Sequence, residues 1–251
     1  MDTRKDIKNN NMKSLLVTND YASLSEVEGL RVVYDKTTDF VWIDTPSLYD
    51  FVDLGLPSGL KWADRNVGAS APEDFGLYFA WGETQGYTDE DIEKGVKKFN
   101  WNDYKLCEGS SQKLTKYNND SSYGIVDNLT TLELVDDAAY VSDNTCRMPI
   151  DDDFEELIAN TTSTWETLNG VNGRRFTSKT NGNSIFVPAA GYYNISSVDG
   201  VGVRCNLWSS FLSNNSSNPI PLNSNCLYFN SSYADVTSIS RSVGVSIRSV
   251  K

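Results

Sequence analysis

The sequence predicts an α+β fold of short antiparallel strands with two helices and long irregular loops. Three observations lead there. From residue 51 onward, short β-branched and aromatic runs alternate with Gly- and Pro-bearing turns. A single clear helical spacing places Phe154, Leu157 and Ile158 at i, i+3 and i+4. The Ser/Asn-rich tail is interrupted by apolar anchors, Phe186-Val187-Pro188-Ala189-Ala190-Gly191, Trp208, Leu227-Tyr228-Phe229, Val245, Ile247 and Val250. Such anchors suit strands carrying polar loops, because a disordered tract lacks apolar surface to bury.

In chain order, residues 1–50 form an extension. Within it Leu30 to Asp35 and Phe40 to Asp44 flank Lys36-Thr37-Thr38-Asp39 and predict a β-hairpin. Phe51 to Leu54 and Leu60 to Ala63 predict strands joined by a turn at Leu56-Pro57-Ser58-Gly59, where Pro presets φ and Gly accepts positive φ. Ser70 to Glu73 opens a helical turn, and Leu77 to Trp81 predicts an aromatic strand ending at Gly82. A helix is expected around Thr131 to Ala139, and a second over Asp152 to about Ala159 with Asp151 as its cap.

Composition narrows the chemistry. The 251 residues include no His, which removes the Ser-His-Asp and Cys-His arrangements and the commonest zinc ligand. A net charge of −12 and a pI near 4.5 argue against nucleic acid or an anionic membrane as partner. No apolar run reaches the roughly 18 residues of a membrane span, and Met1 to Asp20 has no apolar run of the length a secretory signal needs, so neither a membrane span nor a signal peptide is expected. Cys107, Cys146, Cys205 and Cys226 have no CxxC spacing and are expected to be free. From Asn181 to Val250 there is no Lys, Glu, Gln or Met, and Ser supplies 16 and Asn 10 of those 70 residues. With Lys251 this tail carries +2 and the remainder −14.

Several clusters have bland explanations. Asp151, Asp152, Asp153, Glu155 and Glu156 sit in a first helical turn, where the macrodipole favours negative charge. Asp136-Asp137 falls short of the oxygen count that calcium takes. Trp101-Asn102-Asp103 matches a tripeptide of calcium-dependent lectins but lacks its companion triplet. No metal and no cofactor is expected.

The tail anchors combine with Val52-Asp53-Leu54-Gly55-Leu56-Pro57-Ser58-Gly59-Leu60-Lys61-Trp62, Asn66-Val67-Gly68-Ala69, Tyr78-Phe79-Ala80-Trp81-Gly82-Glu83, Asp136-Asp137-Ala138-Ala139 and Arg147-Met148-Pro149. In this order they resemble the C-type-lectin-fold proteins, related to formylglycine-generating enzyme, that serve as variable proteins of diversity-generating retroelements in phages and bacteria. The resemblance covers residues 51–250 and implies a C-type lectin fold over 51–251. The stretch from Phe211 to Asn225 is longer than the family pattern, Cys146 stands where an aromatic is common, and Val245 replaces a usual aromatic.

In that family a reverse transcriptase recopies a template repeat with errors at adenines, chiefly in Asn codons of the form AAY. The products include Ser, Tyr, Asp, Ile, Val, Leu, Phe, Arg and Cys but never Lys, Glu, Gln, Met or Trp. The tail obeys this restriction except at Trp208, an expected invariant anchor. The resemblance therefore implies a variable ligand-binding region at about 191–243. Its positions are Tyr193, Asn194, Asp199, Val203, Arg204, Cys205, Asn206, Leu207, Phe211, Asn225, Cys226, Asn230, Tyr233, Asp235, Ser238, Ile239 and Ser240. Val243 shares strand parity with Val245 and Ile247, which favours the core.

The expected function is binding, not catalysis. The ligand would be a protein or glycan on a bacterial cell surface, and the location a phage tail or that surface itself. A homo-oligomer is compatible, since relatives are monomers or trimers. The alternative is a fixed structural or adhesin module of the same fold. An oxidase activity, which the fold also hosts, would need a reactive cysteine pair, and Cys205 and Cys226 have no supporting motif.

Overall fold

The structure is a computed structural model, and it describes residues 31–35, 40–44, 47–213 and 221–251. The chain divides into two compact units, residues 1–48 and 49–251. In the first, β1 (Arg31–Asp35) and β2 (Phe40–Asp44) pair antiparallel, with Arg31 opposite Asp44 and Asp35 opposite Phe40. The connecting residues 36–39 lie outside the described residues.

The second unit begins with β3 (Phe51–Asp53) and β4 (Lys61–Ala63), an antiparallel pair. Their connection closes as the Gly59 N–H donates to the Leu56 carbonyl at 2.9 Å, with Gly59 at φ +77°. The expected strand over 77–81 is instead a pair of isolated bridges, Tyr78 to Tyr87 and Phe79 to Val245. A short helix that the residue pattern did not suggest, α1 (Asp89–Glu93), follows Thr88. The Thr88 hydroxyl accepts from the Asp91 N–H while the Asp91 carboxylate accepts from the Thr88 N–H, a reciprocal cap.

The helix expected over 131–139 does not form as one element. Leu134–Asp136 makes a 3₁₀ turn, and α2 (Ala138–Ser142) starts after it. Asp137 separates them because its backbone is extended and its carboxylate accepts from the Ala139 and Tyr140 N–H groups. The main helix, α3 (Asp151–Asn160), starts one residue earlier than expected. Asp151 lies inside it rather than capping it; the Asp153 carboxylate accepts from the Ile150 N–H at 2.8 Å instead.

Three small antiparallel sheets complete the unit. β5 (Thr161–Leu168), β6 (Val171–Ser178) and β7 (Ser184–Pro188) form one in that order. β8 (Tyr192–Asn194) and β9 (Ser197–Asp199) form a hairpin. β10 (Arg204–Leu212), β11 (Asn223–Asn230) and β12 (Ala234–Ser240) form the third, with β12 at its edge. Strand alternation makes this last sheet the partition between two cores. Cys205, Leu207, Leu227 and Phe229 face Phe154, Leu157 and Phe176, whereas Trp208, Leu212 and Cys226 join Trp81, Tyr117, Met148 and Val245.

The C-terminal segment threads both cores. Every residue from Arg241 to Val250 is buried, and Val243 sits in the core as its parity suggests. Its backbone bonds to Phe79, Tyr193, Val67, Ala63 and Arg147. Gly244 is required there, since a Cβ would lie 2.5 Å from the Phe99 ring. The Arg241 guanidinium, fully buried, donates to the Tyr104 hydroxyl and to the carbonyls of Lys116, Tyr117 and Pro221 at 2.8–3.0 Å. Arg248 donates to the Asn66 side chain and to the carbonyls of Ala63 and Phe186. Desolvation pulls the Arg248 pKa down to about 10.

Replacing Arg241 with Ala strands those carbonyls in a dry core. The expected loss is about 3–5 kcal/mol in urea unfolding; a loss under about 1 kcal/mol would mean that water takes over the acceptors.

Candidate functional site

The expected variable region begins where Gly191 turns the chain. Its φ of +64° and the 2.3 Å that would separate a Cβ from the Asp199 carbonyl admit only glycine. Beyond it, β8 and β9 set Tyr192 opposite Asp199, Tyr193 opposite Val198 and Asn194 opposite Ser197. Alternation sends Tyr193 inward. Its ring meets Tyr78 edge-on at 4.8 Å, and its hydroxyl donates to Asp89 at 2.6 Å. Burial and the Asp89 carboxylate both raise its pKa.

The hairpin turn is Ile195-Ser196, and Ile195 has φ +59°. A β-branched residue in that region is a genuine outlier, since Gly or Asn is the usual occupant. Both backbone groups of Ile195 bond to Phe99 at 2.9 Å, which holds the conformation. The side chain stays 52% exposed, and Val198, Val201 and Val203 are 41%, 41% and 63% exposed. Four exposed apolar residues thus fall on the hairpin and the turn after it. Arg204 closes the group by pairing with Asp199 and lying 5.0 Å from the Tyr192 ring centroid.

The remaining expected positions fall into three sets. Arg204 stands opposite Asn230, which brings the hairpin beside the end of the large sheet, where Tyr233 and Asp235 are exposed. Asn230 shapes that end: its side-chain oxygen accepts from the Ser232 and Tyr233 N–H groups. At the opposite end Phe211, Asn225, Ser238, Ile239 and Ser240 are half-buried, and Asn225 donates to Asp151 at 2.6 Å. The two ends lie roughly 17 Å apart along β12, five residues at about 3.4 Å each.

Five positions expected at the surface are not there. Tyr193, Cys205, Asn206, Leu207 and Cys226 are buried, the last four because β10 and β11 pack on both faces. β10 is also bridged along its outer edge by Gly191 and Ser246, so its backbone is paired on both sides while its faces pack on the two cores. The Asn206 amide donates to the Cys226 sulfur at 3.3 Å, which satisfies it in the interior. From these places none of the five reaches a ligand. Ile195, Val198, Val201, Tyr192 and Tyr228 are surface or half-buried residues of the same region that the sequence reading passed over. The hairpin signal was there, in Asn194-Ile195-Ser196-Ser197 between two short runs, but Ile in place of Gly masked it.

All four cysteines are free. Burial pushes the thiols of Cys146, Cys205 and Cys226 up to about 12, leaving them protonated and poor nucleophiles. Among the described residues no group of three or more His, Cys, Asp or Glu is placed to hold a metal ion. No protein-family model matches the chain, and no curated protein or solved structure matches it.

Ile195→Gly is expected to raise stability by about 1 kcal/mol, relief of left-handed strain outweighing the added chain entropy. Thermal unfolding measures this, and a lower midpoint would show that the exposed side chain packs against something. In native-state iodoacetamide labelling at pH 8, Cys107 is expected to react first, with Cys146, Cys205 and Cys226 protected until the chain unfolds. Fast labelling of Cys205 would contradict its burial.

Proposed function

We propose that this chain is a ligand-binding protein of C-type lectin fold, diversified by a retroelement and displayed on a phage tail or a bacterial cell surface. Its binding face is the β8–β9 hairpin, the turn through Val203 and the adjoining sheet end with Tyr233 and Asp235. The observation that carries this is the exposure of Ile195, Val198, Val201 and Val203, with Ile195 held in a strained conformation. Exposed apolar side chains gathered within nine residues suit an interaction site, and backbone strain collects where presentation matters more than stability. Under this reading Ile195 is what a single adenine change makes of an Asn codon, at a position where Asn would sit with little strain.

The scaffold suits the role. Gly191, Phe99 and the buried C-terminal segment hold the hairpin on rigid elements, so a changed side chain need not reshape its support. The exposed Asn194 amide and Ser196 and Ser197 hydroxyls supply adaptable hydrogen bonds beside these apolar residues. The small antiparallel sheets and the order of the short motifs support the finer fold assignment.

The fixed-module reading draws on a different observation, the burial of Tyr193, Cys205, Asn206, Leu207 and Cys226, where random change would cost core packing. Sequencing the locus across a population of the source decides between them. Diversification predicts differences at Asn194, Ile195, Asp199, Val203, Tyr233 and Asp235, with Trp208, Arg241 and Arg248 constant. A uniform tail would overturn it and leave the fixed module.

A further inference from the structure

A cavity of about 560 Å³ opens on the loop after α1, in a part of the chain that the proposed variable region does not include. Lys97, Lys98, Lys105, Asn100, Asn102 and Asp103 line it. In a molecule of net charge −12, residues 94–105 hold four lysines and one acid; Lys94 pairs with Glu90 and Lys97 with Glu83, so Lys98 and Lys105 against Asp103 leave a small positive excess at the rim. Its floor is already organised. The Lys97 ammonium is buried, donating to both carboxylate oxygens of Glu83 at 2.9 and 2.7 Å and to the Asp103 carbonyl at 2.8 Å. Glu83 in turn accepts from the Lys105 N–H at 2.8 Å. A buried ion pair is costly to build, and this one fixes the backbone on both sides of Tyr104, so that Asp103 and Lys105 are presented from a rigid edge.

The rim is different, because its polar groups are largely unused. The side chains of Lys98 and Asn102 make no hydrogen bond or ion pair among the described residues, and Lys105 reaches only Gln85, at 3.4 Å. The Asn100 side-chain oxygen accepts from the Asp103 N–H, which leaves its amide hydrogens to face a guest. Two ammonium groups ask for an oxyanion; the two amides and the Asp103 carboxylate ask for hydroxyl groups, which both donate and accept. We infer that this cavity binds a small polyhydroxylated molecule bearing one carboxylate or phosphate, the size of a sugar acid or sugar phosphate. The loop also carries Phe99, whose backbone pairs with Ile195, so the cavity lies beside the hairpin turn and offers a constant subsite next to the proposed variable face.

The test titrates the full chain with glucuronate, glucose 6-phosphate and glucose, following the amide signals of residues 98–105 by NMR. At least one of the two anions is expected to bind about tenfold more tightly than glucose, the worth of one charge-assisted hydrogen bond. The stronger of the two identifies the group as carboxylate or phosphate. The Lys98→Gln, Lys105→Gln double variant should lose that preference with its melting temperature unchanged. A Val198→Ser, Val203→Ser variant should keep it, which separates this cavity from the hairpin face. Equal binding of glucose, undiminished anion binding by the double variant, or no saturable shift with any of the three would overturn the assignment.

Discussion

Two buried guanidinium groups tie together parts of the chain that are far apart in sequence. Arg241 gathers Tyr104, Lys116, Tyr117 and Pro221, and Arg248 gathers Ala63, Asn66 and Phe186. Among the described residues no carboxylate hydrogen-bonds either one. The positive charge is solvated by carbonyl dipoles instead, which satisfies loop backbone that no ladder could reach. A fold with so much irregular chain needs such hubs, and arginine, with five fixed donors, serves several loops at once. The partners in residues 63–117 lie more than 120 residues from Arg241 and Arg248, so these contacts reward long loop closure.

The same closure supports the proposed binding face. Gly244 lies against Phe99, Phe99 pairs with Ile195, and Tyr193 pairs with Gly244, so the C-terminal segment and the hairpin share one set of bonds. Tyr193 adds a side-chain anchor through Asp89 at the start of α1. What remains outside, the tips at Ile195, Val198 and Val203, is thereby separated from what holds it.

Much of this was legible in the residues, and the failures have physical causes. The strands around Phe51 and Leu60 and the apolar face of α3 follow from local pattern, and Val243 obeys parity. The helix expected over 131–139 failed because Asp137 competes as a cap, and Leu134 and Val135, 54% and 67% exposed, have no core to face. The strand expected at Leu77 to Trp81 has its partners in two distant segments, which no local pattern reveals. Within the candidate site, exposure was readable at Asn194, Asp199 and Val203 but not at Ile195 or Val198, and not for β10. A strand buried on both faces loses alternation, and the mixture of Arg204, Cys205, Asn206 and Leu207 looked like surface because nothing in it marks an interior amide satisfied by a thiol. The lysine-lined cavity depends on the buried pairing of Lys97 with Glu83, fourteen residues apart, which spacing alone does not suggest.

β12 is an edge strand of seven residues without Pro or Lys, the residues that usually discourage strands of two molecules from joining. The protection lies elsewhere in the chain. With −14 on the first 180 residues against +2 on the tail, copies repel at neutral pH before their edges meet. That colloidal guard weakens as salt shortens the screening length, and it vanishes as acid brings the chain toward its isoelectric point near 4.5. Solubility and this edge are therefore coupled: the acidity of the body guards a strand whose outer side has no strand partner among the described residues.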